Sequence, residues 1–324
     1  MTKYILKRLL MIIPVLIGVS LMVFTIMYFT PGDPASIILG ATATDEDIIE
    51  ITEKLGLNKP FIERYLNYIE RAFLHFDLGK SFFSNRSVSE EVLLRLPYTL
   101  KLAGFSILLA IAIGVPLGAI AAKKQNTWMD NAAMFGALFF LSMPAFWFAL
   151  VLVMFFAINL RWLPVVGVTS WKGYIMPVIA MGVHSAAGIA RQTRSSMLEA
   201  IRQDYITTAR AKGQKESIVT TGHILRNGLI PVIVVIGNSM GSAMGGALIA
   251  ETIFSIPGLG TYMVHGISTR DYPVIQGGVL VIAVCFCLVM LLVDIVLAFV
   301  DPRIRDQFSG KKKKRSATKW KIAA

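Results

Sequence analysis

Charge is scarce in this 324-residue chain. Asp, Glu, Lys and Arg together make up 16% of it, against 55% hydrophobic residues, and the mean hydropathy is +0.64. A soluble globular domain carries about a quarter charged residues, so the composition excludes that class and points to a polytopic membrane protein. Cysteine is nearly absent. Cys285 and Cys287 lie two residues apart in one apolar run, where a helix turns them to different sides. That spacing excludes a disulfide and argues against a metal site. Histidine occurs only at His75, His184, His223 and His265, which are scattered. There is no Gly-x4-Gly-Lys-Ser/Thr loop to cradle ATP phosphates, no His-Glu-x-x-His and no Cys-x-x-Cys. The expectation is a chain with no catalytic residues, no metal and no bound cofactor, whose work against a gradient draws on a partner or on ions.

What the chain has is apolar length. Six runs, near Leu9–Phe29, Leu102–Ala122, Asn131–Ala157, Gly173–Ala190, Asn227–Ala250 and Gly277–Val300, reach the roughly 18 residues a helix needs to cross a bilayer. The first lies in a stretch, Leu9 to Gly32, that is uncharged for 24 residues. It is too long for a signal-peptide core and reads as a retained span. With the N-terminus inside, the inner segments hold 21 Lys and Arg and the outer segments 10. The positive-inside rule then puts both termini in the cytoplasm. The net charge of +12 gathers in loops beside spans, a topology pattern and not a nucleic-acid surface. The chain divides into a first span (1–30), an outer helical loop (31–97), a membrane core (98–300) and a basic tail (301–324). That tail, with Lys311–Arg315, reads as a segment lying near anionic lipid.

The outer loop predicts two helices. Thr44 precedes three acids and then Ile48, Ile51 and Leu55 at helical spacing, with Gly56 as a stop. From Pro60 a second helix carries Phe61, Tyr65, Tyr68, Ile69, Ala72 and Phe73 on a broad apolar face. This cap is either a docking surface for an external partner or a lid on the span ends. In the third run Pro144 predicts a kink. In the fifth, Gly237, Gly241 and Gly245 recur every fourth residue beside a polar row, Asn238 and Ser242. Asn238, Gly241, Ser242 and Gly245 are therefore candidates for lining a pathway, with helix–helix contact as the alternative. Glu251 at the outer end of that run and Asp294 in the sixth are gate or outer-loop candidates. Asp294 is open to a second reading as a snorkelled or paired structural acid.

Between the fourth and fifth runs, Arg191 to Arg226 holds seven basic residues against three acids. Met197, Ile201, Tyr205 and Ala209 recur every fourth residue, as one face of a helix would require. Gly213 stands where a left-handed residue ends a helix, with Arg210 and Lys212 favourably placed against the dipole. This predicts an amphipathic helix beneath the membrane, offering one side to another protein or resting on lipid.

The stretch Ala190-Arg-Gln-Thr-Arg-Ser-Ser-Met-Leu198 with Asp204-Tyr-Ile-Thr-Thr-Ala-Arg-Ala-Lys-Gly213 resembles the permease subunit of bacterial dipeptide/oligopeptide ABC importers, a family that includes nickel and glutathione importers. Thr30–Pro34, Leu55–Pro60, Asp77–Ser81, Ser142–Pro144, Leu225–Pro231, Glu251–Gly260, Arg270–Pro273 and Asp301–Arg305 are similar to it as well. The resemblance covers the chain except its Lys-rich end. Where the general importer loop has Glu-Ala-Ala-x3-Gly, this chain has Thr207-Thr208-Ala209-x3-Gly213, without the glutamate. It implies an all-α fold with six transmembrane helices of the type I ABC importer kind, in a bacterial inner membrane. It also implies a second, related permease, two cytoplasmic ATPases that carry ATP and Mg, and an external solute-binding protein. Asp204, Tyr205, Ala209, Arg210, Lys212 and Gly213 would form the helix that seats in an ATPase groove, with Tyr205 and Ala209 giving apolar contact, Arg210 and Lys212 charge, and Gly213 the sharp exit. Nickel or glutathione import is the near alternative. An ion-coupled carrier or channel using acids such as Asp294 is the alternative from another class.

Overall fold

The computed structural model describes residues 2–30, 32, 34–40, 43–168 and 170–300. The Lys-rich tail and Asp301–Arg305 lie outside the described residues. Within them the chain is helical throughout, apart from a single antiparallel bridge between Lys80 and Ser87. Five helices are long and apolar enough to cross a membrane: α1 (Thr2–Phe29), α5 (Val88–Lys123), α8 (Lys172–Ile201), α11 (Arg226–Ile253) and α13 (Tyr272–Val300). The third apolar run is a broken one. Its halves are α6 (Trp128–Ser142) and α7 (Ala145–Leu152), the latter running on through a π-helical turn to Asn159, and they meet at 97°. Pro144 causes the break. It holds the preceding residue, Met143, in an extended conformation, so the helix stops rather than merely bending.

Three helices lie between α1 and α5: α2 (Pro34–Leu39), α3 (Asp45–Lys54) and α4 (Phe61–Leu74). Both predicted outer helices are present. Thr44 and Asp47 cap α3 reciprocally: the Thr44 hydroxyl accepts from the Asp47 N–H at 3.3 Å, and the Asp47 carboxylate accepts from the Thr44 N–H at 3.1 Å. α4 is not a cap laid over the span ends. It folds back along α1, with Phe61, Tyr65, Tyr68 and Ala72 turned inward. A division of the chain at 97/98 falls inside α5, which is continuous through Pro97.

The centre of the bundle is α5 against α8. Small residues let the two backbones close: a Cβ added to Gly114 or Gly118 would strike the carbonyl oxygens of Ala186 or Ala190. Near the C-terminal ends of α5 and α8, Asp130 on α6 is 1% exposed and takes a two-pronged ion pair from Arg194 on α8, at 2.5 and 2.7 Å. The remaining helices are α9 (Asp204–Ala211) and α10 (Glu216–Ile218), between α8 and α11, and α12 (Leu259–Thr269), between α11 and α13. A second π-helical turn, Val219–Leu225, leads into α11.

Candidate functional site: an inner platform and an outer plug

The platform is α9. α8 ends at Ile201 and α9 starts at Asp204, so the four-residue period from Met197 to Ala209 runs across a break. The fourfold spacing does not mark one face of one helix. Ile206 and Ala209 are the buried pair, packed with Met197, Ala200, Ala122, Val219 and Ile224. Ala209 therefore holds α9 to the bundle and is not offered to a partner. Tyr205 is 41% exposed, and its hydroxyl accepts from the Asn227 amide at 3.1 Å. Asp204 opens the helix as an exposed acid in its first turn, favourable against the dipole.

The exit of α9 is a complete Schellman turn. Gly213 has φ +74°, its N–H donates to the Arg210 carbonyl at 2.9 Å, and the Gln214 N–H donates to the Ala209 carbonyl at 3.4 Å. Arg210 is not a free charge. Its guanidinium holds both Glu216 oxygens, at 3.1 and 2.7 Å, and that carboxylate raises the Arg210 pKa further. Lys212 is exposed at the helix C-terminus. What α9 presents outward is thus Asp204, Tyr205, Thr207, Thr208 and Lys212, on a short rod clamped at both ends.

The plug, at the other end of the bundle, is built on Glu251, which is 0% exposed. Its carboxylate accepts from the Thr99 hydroxyl at 2.5 Å and from the Thr261 N–H at 3.0 Å. Thr99 in turn accepts from the Leu259 N–H at 2.9 Å. Thus Glu251 and Thr99 together satisfy the free N–H groups at the start of α12, the task an N-cap side chain performs locally. The sequence Pro257-Gly-Leu-Gly260 follows from this closeness. A Cβ on Gly258 would collide with the Glu251 carboxylate, and one on Gly260 with the Leu248 backbone. Nearby, Asp271 is buried and ties the 79–84 loop to the start of α13, accepting from the Ser81 hydroxyl at 2.5 Å and the Phe82 N–H at 3.0 Å. The Asp77–Ser81 and Arg270–Pro273 stretches are therefore one contact, separated by 190 residues of chain. The Gly79 N–H and the Arg71 guanidinium beside Asp77 hold its carboxyl below the usual range.

The glycine face of α11 divides. Gly237 and Gly241 are covered by Val293 and the Phe286 ring of α13. Gly241 is thus a helix-contact residue and not part of a pathway lining. Asn238, Ser242 and Gly245 are exposed on another side of the same helix, with no atom near enough to Gly245 to meet a Cβ. Asp294 is not an outer-loop residue. It sits 22 positions beyond Tyr272, about 33 Å along α13 by helical rise, and pairs with Arg8 of α1 at 3.1 Å. The letters Gly237-Asn-Ser239-Met-Gly241 spell a nucleophile-elbow pattern. They lie within a helix, however, and the elbow requires a strand-to-helix turn.

Three buried groups escaped the sequence reading: Thr99, Asp130 and Asp271. Asp130 borders an apolar run and Asp271 stands inside the Arg270–Pro273 motif, and those were the available signals. Thr99 had none, because its value comes entirely from Glu251 across the fold.

Residues 114–306 match the family model of the binding-protein-dependent transport system inner membrane component. Residues 1–103 match the model of the N-terminal part of such membrane components. The chain belongs to this family. The permease is 42% identical over 333 residues to the dipeptide transport system permease protein DppB of Alkalihalophilus pseudofirmus, covering 94% of this chain and 100% of that one. It is 40% identical over 305 residues to the glutathione transport system permease protein GsiC of Escherichia coli strain K12, covering 94% and 99%. Among solved structures the permease resembles an inward-facing form of the MetNI methionine ABC transporter. There the TM-score is 0.57 at 16% identity, over 65% of this chain and 97% of that one, a likeness of fold. The type I importer fold and a multi-pass membrane location stand on these findings. ATP hydrolysis belongs to a separate subunit.

Proposed function

We propose that this permease forms half of the translocation pathway of an ATP-driven importer for di- and oligopeptides, delivered by an external binding protein. A second, homologous permease completes the pathway, and two cytoplasmic ATPases bind the ATP and Mg. The observation that carries this reading is α9, a rod exposed on one side and locked into the inner bundle on the other, in a chain with no nucleotide loop of its own. A push on α9 passes through Ile206 and Ala209 to Met197 and Ala200 on α8 and to the root of α11. Its outward residues Asp204, Tyr205 and Lys212 form the contact with the ATPase. Both termini lie on the cytoplasmic side, with α9.

Peptide is favoured as cargo because the DppB and GsiC relatives, named for a dipeptide and for glutathione, stand at nearly equal identity. Both cargoes are short peptides with free carboxylates. Nickel import shares these motifs and is the second reading. Asp294, the candidate relay of the ion-coupled alternative, pairs with Arg8 at 3.1 Å.

Reconstitution tests the proposal. Liposomes holding both permeases and both ATPases should take up labelled dipeptide only with ATP and the binding protein present. Uptake by this chain alone, driven by an ion gradient, would refute it.

A further inference from the structure

α4 carries two apolar surfaces, and the bundle uses only one. Phe61, Tyr65, Tyr68 and Ala72 follow an i, i+4, i+7, i+11 pattern and face α1 and α13. The Tyr65 hydroxyl donates to the Ile17 carbonyl at 3.1 Å and the Tyr68 hydroxyl to that of Gln276 at 3.4 Å, while Ala72 packs between Leu16 and Leu280. Ile62 and Leu66 lie on the adjoining side, and Leu74 and Phe76 at the tip. All four are exposed, Phe76 at 82%. Phe76 has φ +53°, a left-handed conformation that a bulky residue rarely takes. Its backbone is held there by the turn that the Arg71–Asp77 ion pair closes, at 2.9 Å.

Depth identifies the occupant. Leu280 lies in the apolar run Gly277–Val300 of α13, and Leu16 in the apolar run Leu9–Phe29 of α1. The tip of α4 packs at that level, beside two helices whose outward residues, among them Ile13, Ile17 and Leu21, are themselves exposed and apolar. The side of α4 turned away from Ile62 and from the α1 contact carries Glu63, Asn67, Glu70 and Arg71, with Leu74 at the end of the same row. An apolar side and a charged side on a helix beside the spans is the arrangement of a segment lying in the membrane interface.

We infer that α4 is a membrane anchor: Ile62, Leu66 and Phe76 insert among the acyl chains of the outer leaflet. The anchor fixes the height and tilt of the outer loop, and with it Asp271 and the plug, relative to the bilayer.

The test uses the complete importer in phosphatidylcholine/phosphatidylglycerol nanodiscs, with Cys285→Ala and Cys287→Ala as background. Phe76→Cys and, separately, Asn67→Cys carry an environment-sensitive fluorophore. Chain-brominated lipid should quench the label at 76 at least twofold more than the label at 67, and aqueous iodide should show the reverse preference. Iodide quenching at 76 equal to that at 67 would overturn the anchor. So would protection of 76 from both quenchers, which would mean that another subunit covers the tip. Leu66→Cys repeats the measurement if the turn at 76 does not tolerate the label. The readout is depth and does not require transport, so it stands apart from the cargo and motor assignments.

Discussion

Glu251 is a buried carboxylate whose oxygens accept from Thr99 and Thr261. Removing it strands a hydroxyl and a backbone N–H out of contact with water, and each orphan costs about 1–3 kcal/mol. Glu251→Ala should therefore lower the thermal stability of the purified complex and loosen α12. Glu251→Gln keeps one acceptor but turns an NH2 group toward a donor, so its loss should be intermediate. The checks are melting temperature and protease cleavage within 255–270. An unchanged cleavage pattern in Glu251→Ala would show that α12 is held by its apolar contacts alone. Arg210 and Asp294 carry a related lesson. Each is a charge that a sequence presents as available, and each is already spent on a partner inside the chain.

At the scale of the element, α9 is defined by its ends. Gly213 needs its left-handed backbone, since a side chain with a Cβ costs about 1–2 kcal/mol there. Space is not the obstacle, because nothing lies within 4 Å of an added Cβ. Gly213→Val should thus insert and fold, yet fray the last turn of α9 and with it the Arg210–Glu216 clamp. The expected outcome is ATP hydrolysis that persists while peptide uptake falls several-fold. Equal loss of both activities would point to failed assembly instead. The α6–α7 break is the other decisive element, where one proline turns a single apolar run into two arms at 97°.

At the scale of the whole molecule, one face of the bundle is left open. α11 leaves Asn238, Ser242 and Gly245 uncovered, polar and small where a lipid-facing helix would be large and apolar. In the proposed assembly this face meets the pathway and the second permease. Ser242→Cys, with the two native cysteines replaced, should react with a water-soluble thiol reagent in the assembled importer, and a bulky adduct should block uptake. Labelling only by membrane-partitioning reagents would place that face in lipid and remove it from the pathway.

The primary structure alone determined the apolar spans, the Thr44 cap, a disruption of the third run at Pro144 and the glycine exit of α9. These depend on composition and on neighbours within one helical turn. Tertiary structure decided the rest. Periodicity specifies that a face exists, not what covers it, so only packing showed Ala209 turned inward and Gly241 under Phe286. Periodicity also cannot register a break between helices, which is why Met197 and Ala209 seemed to share one rod. Thr99, Asp130 and Asp271 took on roles only when distant segments met, because the value of a buried polar group lies in its partner.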